Sequence, residues 1–166
     1  MPSRKSFMLG FAASLLVSQA HTSEEHLLMH ASGHFDVTLA PQASDNLQVR
    51  TAQIDRLSID KKYHGDVQGT STGQMQAIKD DRNTGAYVAL EKVVASLQGR
   101  NGTFMLMHYG YMSQGAVGRW LVEIVPNSGT GELAGLSGTM KIIQKDGKHY
   151  YEIEYTLAEA GTRVKK

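Results

Sequence analysis

Apolar and polar residues alternate with a period of two along most of the chain after residue 30. Around Phe35, Val37 and Leu39, for example, every second side chain is apolar. Such alternation is typical of β-strands that bury one face. We therefore predict eight strands, at residues 31–40, 54–63, 67–78, 86–97, 103–112, 119–125, 138–144 and 149–157.

Turn signals separate these strands. Asp146-Gly147 predicts a two-residue hairpin between the last two strands, and Arg100-Asn101-Gly102 predicts one between the fourth and fifth. Residues 41–53 and 79–85 are predicted to be polar loops. Residues 87–97 also contain helix-forming residues, so a helix is the alternative there, although their valines and the neighbouring strands favour extended structure.

The predicted fold is all-β: a single eight-stranded antiparallel barrel over residues 31–158. Closure into a barrel removes exposed strand edges. A barrel of eight strands is just wide enough to be filled by its own side chains or to hold one small ligand. Gly69 and Gly73 would let the third strand bend, as a barrel strand must.

Composition narrows the function classes. The 166 residues suffice for one domain, and the absence of cysteine excludes disulfides and thiolate metal sites. Lys and Arg (17) nearly balance Asp and Glu (16), with no basic stripe, so no nucleic-acid partner is expected. No pattern in the sequence calls for a metal or a cofactor.

The first twenty residues have the pattern of a cleavable signal peptide. Arg4 and Lys5 precede an apolar run at residues 7–17, and small residues surround a cleavage site after Ala20. The run is shorter than the roughly 20 apolar residues that span a bilayer. We expect a periplasmic or secreted protein without a stable membrane anchor after cleavage; the alternative is a buried or amphipathic N-terminal helix. Residues 21–30 would be a lead-in segment, and residues 159–166 a flexible tail.

Histidines are concentrated near the start of the predicted mature chain. His26, His30 and His34 recur every four residues, so a helix would align them for a metal ion, whereas a strand would hold them too far apart to share one. Cleavage after Ala20 would also expose His21, whose amine and ring can chelate copper when another histidine lies nearby. We favour a solvated segment that binds no metal, with metal binding as the alternative.

Two polar residues fall on an otherwise apolar predicted face. A two-residue turn places odd positions of the fourth strand opposite even positions of the fifth, which directs Glu91 and His108 into the barrel. A buried carboxylate beside a histidine could serve as general base and acid, so both are candidate catalytic residues. The alternative is a buried hydrogen bond that fixes the register. Candidate ligand-binding residues on the inner face are Tyr87, Leu106, Glu123, Tyr151 and Tyr155.

The opposite face of the middle strands is predicted to be unusually apolar. Its members are Val88, Leu90, Val94, Met105, Met107, Tyr109, Tyr111, Trp120, Val122 and Ile124. Such a face is too apolar for free solvent, so we expect a homo-oligomer, either a dimer or a trimer, that buries it; the alternative is that the inward and outward faces are reversed there.

Several stretches together resemble a known family. They are residues 31–39, 64–73, 85–93, 99–108, 126–140 and 146–149. Over residues 31–157 the chain resembles a bacterial family of unknown function, domain of unknown function 3224. Members of that family are similar in fold to plant allene oxide cyclase, an eight-stranded barrel that works without a cofactor on an apolar ligand and forms oligomers. The resemblance implies this fold strongly and the activity weakly.

Three functions are consistent with these features. The first is the binding of a small apolar ligand inside the barrel, with Glu91 and His108 tuning the interior. The second is a cofactor-free isomerase or cyclase that uses the same two residues as acid and base. The third is a structural or interaction protein whose barrel is filled. An open interior favours the first two, and a filled interior favours the third.

Overall fold

The chain folds into one closed antiparallel barrel of eight strands, joined in sequence order. The computed structural model describes residues 27–43 and 46–158. The strands are β1 (Met29–Gln42), β2 (Asp55–Gly65), β3 (Val67–Lys79), β4 (Gly85–Leu97), β5 (Arg100–Ser113), β6 (Ala116–Ile124), β7 (Leu136–Lys145) and β8 (Lys148–Leu157). The predicted fold is confirmed, and residues 87–97 are a strand rather than the alternative helix.

Short helices occupy two of the connections between strands. A five-residue helix, α1 (Leu47–Thr51), lies in the β1–β2 connection, which the sequence predicted to be a polar loop. A single turn of 3-10 helix (Gly131–Leu133) lies in the β6–β7 connection. No helix in the described part of the chain is long and apolar enough to cross a membrane.

Two hairpins set the inward-facing residues of four strands. Ile142 pairs with Tyr151 across the β7–β8 hairpin, as predicted. The β4–β5 turn, however, is Gln98-Gly99, with φ of 48° and 86°, and not the predicted Arg100-Asn101 or Asn101-Gly102. Both are two-residue turns, so odd positions of β4 still pair with even positions of β5.

Gly102 lies within β5 for a packing reason. A Cβ atom at this position would collide with the backbone oxygen of Thr130, in the connection that follows β6. The glycine therefore allows two backbones to approach closely, rather than forming a turn.

A β-bulge changes the faces of β6. Met112 pairs with Val117, whereas Tyr111 pairs with Arg119, so Gly118 is an extra residue. A Cβ at Gly118 would collide with the ring of Tyr111. Beyond the bulge, even positions of β5 pair with even positions of β6.

The predicted faces of β6 are consequently wrong. His108 pairs with Val122, and Leu106 pairs with Ile124, so both β6 residues point inward and are buried. Trp120 shares their face. Glu123, predicted inside, is on the outer face between Met107 and Thr139. One extra residue accounts for every one of these errors, because a shift of one position moves each side chain to the other face.

The barrel has a closed end that is filled by large side chains. The β6–β7 connection folds over this end and places Leu133 against the core, where Leu133 is fully buried. Fully buried neighbours of the same core are Val67, Leu97, Phe104, Leu136, Tyr151 and Tyr155. This half of the interior is packed solid.

Truncating Leu133 tests this packing. We expect Leu133→Ala to lower the free energy of unfolding by about 2–5 kcal/mol, because it removes buried methyl groups and leaves a cavity. Leu47→Ala, in an exposed position of α1, is the control and should change stability little. Urea unfolding of both variants measures the difference, and equal effects would contradict the role of Leu133 as a plug.

The other end of the barrel is lined by inward-facing side chains that remain partly exposed. We call this end the mouth. Its lining residues are Val37, Leu57, Met75, Tyr87, Trp120 and Ile142. The mouth is largely apolar, and solvent reaches these side chains in the single chain.

The outer face of β3, β4 and β5 carries exposed apolar side chains. Val88, Leu90 and Val94 are each more than half exposed, and Met107 and Tyr111 stand beside them on β5. The sequence analysis expected this face to be buried in a homo-oligomer. The β6 residues that it included do not belong to the face, because they point inward.

The expected oligomer stays a prediction that can be measured. Leu90→Glu places a charge in the middle of this face and should yield a smaller species than the wild type in sedimentation velocity. Lys62→Glu, which changes the charge of an exposed residue on β2, is the control. A wild-type chain that sediments as a monomer would contradict the prediction.

Several sequence predictions lie outside the described residues. These are the signal peptide (residues 1–20), most of the lead-in segment with His21 and His26, and the tail (residues 159–166). His30 and His34 are described, and both lie on the outer face of β1, a strand.

Candidate functional site

A buried ion pair lies inside the barrel. The Nζ atom of Lys61, on β2, is 2.9 Å from Oε2 of Glu91 and 3.1 Å from Oε1 of the same residue on β4. The two side chains are 6% and 0% exposed. Such a pair is stable only when both charges are present, because each would otherwise be buried without compensation.

Small residues on β3 make room for this pair. Lys61 and Glu91 lie two strands apart, and Ser71 and Gly73 face them from the strand between. A Cβ at Gly73 would stand 3.1 Å from Cβ of Glu91. The absence of a side chain at Gly73 therefore allows β3 to lie close to β4 beside Glu91.

Two aromatic residues complete the surroundings of the pair. The Tyr63 hydroxyl donates a hydrogen bond of 3.0 Å to Oε1 of Glu91. Burial, together with the negative charge of Glu91, raises the pKa of Tyr63 well above its usual value, so this hydroxyl stays protonated. Lys61 Nζ also stands 4.7 Å from the centre of the Phe35 ring, in cation–π geometry.

His108 lies beside the ion pair without a hydrogen bond to Glu91. On β5 it pairs with Ala89, which places it diagonally from Glu91. Its Nε2 atom is buried and has no hydrogen-bond partner among the described residues. The pKa of His108 is lowered to about 4, chiefly by burial and then by the charge of Lys61, while the charge of Glu91 partly opposes both. The imidazole is therefore neutral near pH 7.

Two aromatic residues of the mouth lie on the strands next to His108, Tyr87 on β4 and Trp120 on β6. The ring of Tyr87 meets that of His108 edge-on at 5.8 Å. Trp120 lies on β6 opposite Gly110, and a Cβ at Gly110 would approach the Tyr87 ring to 2.9 Å. Gly110 thus leaves space for both rings. Burial raises the pKa of Tyr87 to about 12, so its hydroxyl remains a donor.

The site lies at the floor of the mouth. Glu91 is fully buried, whereas Lys61 is 8% and His108 is 5% exposed, so a little of each side chain still meets solvent. Leu106 and Val93, on the side of the closed end, belong to the buried hydrophobic core. The arrangement is a polar floor under a ring of partly exposed apolar residues.

The predicted site residues fall into three groups. Glu91, His108, Tyr87 and Leu106 come together as predicted. Tyr151 and Tyr155 also point inward, but their hydroxyls are used at the closed end: Tyr151 accepts a hydrogen bond from the Val67 amide at 2.8 Å, and Tyr155 donates one to the Gln98 side chain at 2.8 Å. Glu123 is on the outer face and does not belong to the site.

Sequence reasoning missed three residues of the site. Lys61 and Tyr63 continue the inward face of β2 that begins with Leu57 and Ile59, so a lysine on an apolar face was the available signal. Trp120 was assigned to the outer face because the bulge was not recognised. A glycine inside a strand, here Gly118, is the sequence signal for such a bulge.

A surface groove of about 440 Å³ lies elsewhere, on the outer face of β1 and β8. His30, Asp66, Lys141, Glu152 and Glu154 are among its lining residues. These side chains are solvated, and the ion pairs between them are long and exposed. The buried polar groups without partners are inside the barrel, so we place the candidate site there and not in the groove.

The chemistry of the floor follows from its charges. Lys61 and Glu91 neutralise each other, and His108 and Tyr63 are uncharged at neutral pH. In residues 27–43 and 46–158, no group of three or more His, Cys, Asp or Glu side chains is arranged to hold a metal ion. The floor offers neutral hydrogen-bonding groups.

Fold and site together define a small antiparallel β-barrel with an ionic cluster across its interior and one accessible end. The family described as "Protein of unknown function (DUF3224)" matches residues 31–155. The chain therefore belongs to the DUF3224 family.

A solved structure supports this assignment. The chain is similar to a protein of unknown function from the DUF3224 family of Shewanella oneidensis MR-1, seen in a crystal structure. The two share 36% sequence identity with a TM-score of 0.70, and the match covers 80% of this chain and 99% of the other. None of the curated proteins matches this chain.

Proposed function

We propose that the mouth of the barrel binds a small, mostly apolar ligand that carries a polar group. The observation that carries this proposal is the buried Nε2 atom of His108, which has no hydrogen-bond partner within residues 27–43 and 46–158 and lies beneath a ring of partly exposed apolar side chains. Apolar walls with a few converging polar groups are the usual features of a small-molecule site.

The energetics of buried polar groups support a ligand at this position. A buried nitrogen without a hydrogen bond costs about 1–3 kcal/mol relative to a satisfied one. A ligand whose polar atom reaches His108 recovers that energy and at the same time buries the apolar lining of the mouth. The likeness to allene oxide cyclases that the sequence suggests is in keeping with a ligand held inside the barrel.

The geometry favours binding over acid–base catalysis. Both oxygens of Glu91 lie within 3.1 Å of Lys61, and Tyr63 also donates to one of them. Both oxygens of this carboxylate are therefore engaged by side chains of the barrel itself. His108, with a pKa of about 4, is a weak base at neutral pH.

A neutral fluorescent probe tests the proposal directly. We expect N-phenylnaphthylamine to bind to the protein and to brighten as it enters the apolar mouth. Met75→Trp, which fills the mouth, should reduce binding at least tenfold, whereas Met107→Trp on the outer face should leave it unchanged. Native mass spectrometry of protein purified from its own cells should show a retained small molecule in the wild type that Met75→Trp has lost.

Two outcomes would overturn the proposal. One is that the probe does not bind. The other is that both tryptophan variants weaken probe binding equally, which would place the probe outside the mouth. Circular dichroism of each variant confirms that the barrel is intact before the affinities are compared.

A further inference from the structure

We infer that the ligand of the mouth is an uncharged carbonyl compound, whose oxygen accepts hydrogen bonds from His108, Tyr87 and Trp120. This inference rests on the proposed function and specifies the chemistry of the ligand. The three residues lie on the neighbouring strands β4, β5 and β6: the Tyr87 ring meets that of His108 at 5.8 Å, and both Tyr87 and Trp120 lie opposite Gly110.

Trp120 supplies a donor that can do nothing else. Its indole N–H cannot accept a hydrogen bond, and Nε1 is buried without a partner of good geometry among the described residues. It lies close enough to the Tyr87 hydroxyl to lower the pKa of that group slightly, against the larger effect of burial. The indole and the phenol are therefore neighbours that face the same space.

Tyr87 and His108 supply the other donors. The pKa of Tyr87 is about 12, so the hydroxyl carries its proton at neutral pH. A neutral imidazole carries one proton, and Nε2 of His108 is buried without a hydrogen-bond partner among the described residues. A proton on Nε2 adds a third donor. A carbonyl oxygen has two lone pairs and no proton, so it complements such a set of donors.

The charge balance of the floor disfavours an ionised ligand. Lys61 and Glu91 are paired at 2.9 Å, and neither charge is left over for a carboxylate or an ammonium group on the ligand. Burying such a group against a neutralised pair would leave it uncompensated. An uncharged acceptor carries no such penalty.

Three matched compounds of similar shape separate this inference from simple apolar binding. Benzophenone carries a carbonyl oxygen, benzhydrol carries a hydroxyl at the same position, and diphenylmethane carries neither. Displacement of N-phenylnaphthylamine gives the affinity of each. We expect benzophenone to bind about tenfold more tightly than diphenylmethane, corresponding to one net hydrogen bond, with benzhydrol between them.

Variants identify the donors. Tyr87→Phe and His108→Phe should each reduce the preference for benzophenone over diphenylmethane severalfold. Tyr111→Phe removes an exposed hydroxyl from the outer face and is the matched control for Tyr87→Phe. Diphenylacetate, which carries a carboxylate, should bind more weakly than diphenylmethane.

The possible failures are distinguishable. Equal affinities for the three uncharged compounds would overturn the carbonyl inference and leave the proposed function standing. A stronger affinity for diphenylacetate would also overturn it, since an anion would then be preferred. If N-phenylnaphthylamine itself does not bind, the proposed function fails, and the carbonyl inference fails with it.

Discussion

Lys61→Met is expected to lower the free energy of unfolding by about 3–5 kcal/mol, because it leaves the fully buried carboxylate of Glu91 without its counter-charge. Methionine has nearly the length of lysine and fills the space over Phe35, so lost packing contributes little. Urea unfolding at neutral pH measures the effect.

Adding Glu91→Gln to this variant should restore most of the lost stability. The double variant removes both charges, and the glutamine oxygen can still accept the hydrogen bond from Tyr63. Replacing a buried ion pair by uncharged groups of similar size is often neutral. A coupling energy of several kcal/mol between the two substitutions is therefore expected in a double-mutant cycle.

An exposed pair on the same barrel provides the matched control. Lys141 and Glu152 are 3.7 Å apart and largely solvated, so Lys141→Met should change stability by less than about 1 kcal/mol. If Lys61→Met costs no more than Lys141→Met, the interior pair is not stabilised as the structure indicates. Additive effects of Lys61→Met and Glu91→Gln would contradict the direct coupling of the two charges.

His108 is expected to make the barrel sensitive to acid. Its pKa falls from 6.5 in the unfolded chain to about 4 in the folded one, so between these values the unfolded chain binds a proton that the folded chain does not. The contribution of neutral His108 to the free energy of unfolding is fully present above pH 6.5 and is lost as the pH falls toward 4. The difference in pKa corresponds to about 3 kcal/mol.

Removal of this histidine should flatten the acid limb of the stability curve. Between about pH 6.5 and pH 4, the free energy of unfolding should fall by about 3 kcal/mol less in His108→Gln than in the wild type. Urea unfolding at several pH values measures this difference. His30→Gln, at an exposed position on β1, is the control for the loss of a histidine. Parallel curves for the wild type and His108→Gln would show that His108 titrates normally in the folded state.

Much of the fold follows from local pattern alone. The alternation of apolar residues locates all eight strands, and Asp146-Gly147 sets the β7–β8 register. The inward direction of Glu91 and His108 was also predictable, even though the β4–β5 turn was placed two to three residues too late. Any two-residue turn pairs odd with even positions, so the error in position did not change the face.

Only part of the candidate site could be predicted from the sequence. Glu91 and His108 stand out because they interrupt an apolar face. Their partners come from other strands: Lys61 lies on β2 and reaches Glu91 on β4 across β3. Nothing near residue 61 in the sequence identifies Glu91 as its partner, since residues 61 and 91 come together only when the strands close into the barrel.

The sequence by itself determined the strands, the antiparallel order that closes them and the inward face of most strands, because a period of two is a local property that needs no knowledge of distant residues. Only the tertiary structure decided which residues of β6 face the interior, because the bulge at Gly118 turns Trp120 inward and Glu123 outward. It also decided which buried charges meet and which end of the barrel is plugged. These features depend on contacts between different strands and connections: Gly73 and Gly102 each lie against a neighbouring backbone, and Gly118 lies against the ring of Tyr111. Steric fit rather than local periodicity sets the outcome there.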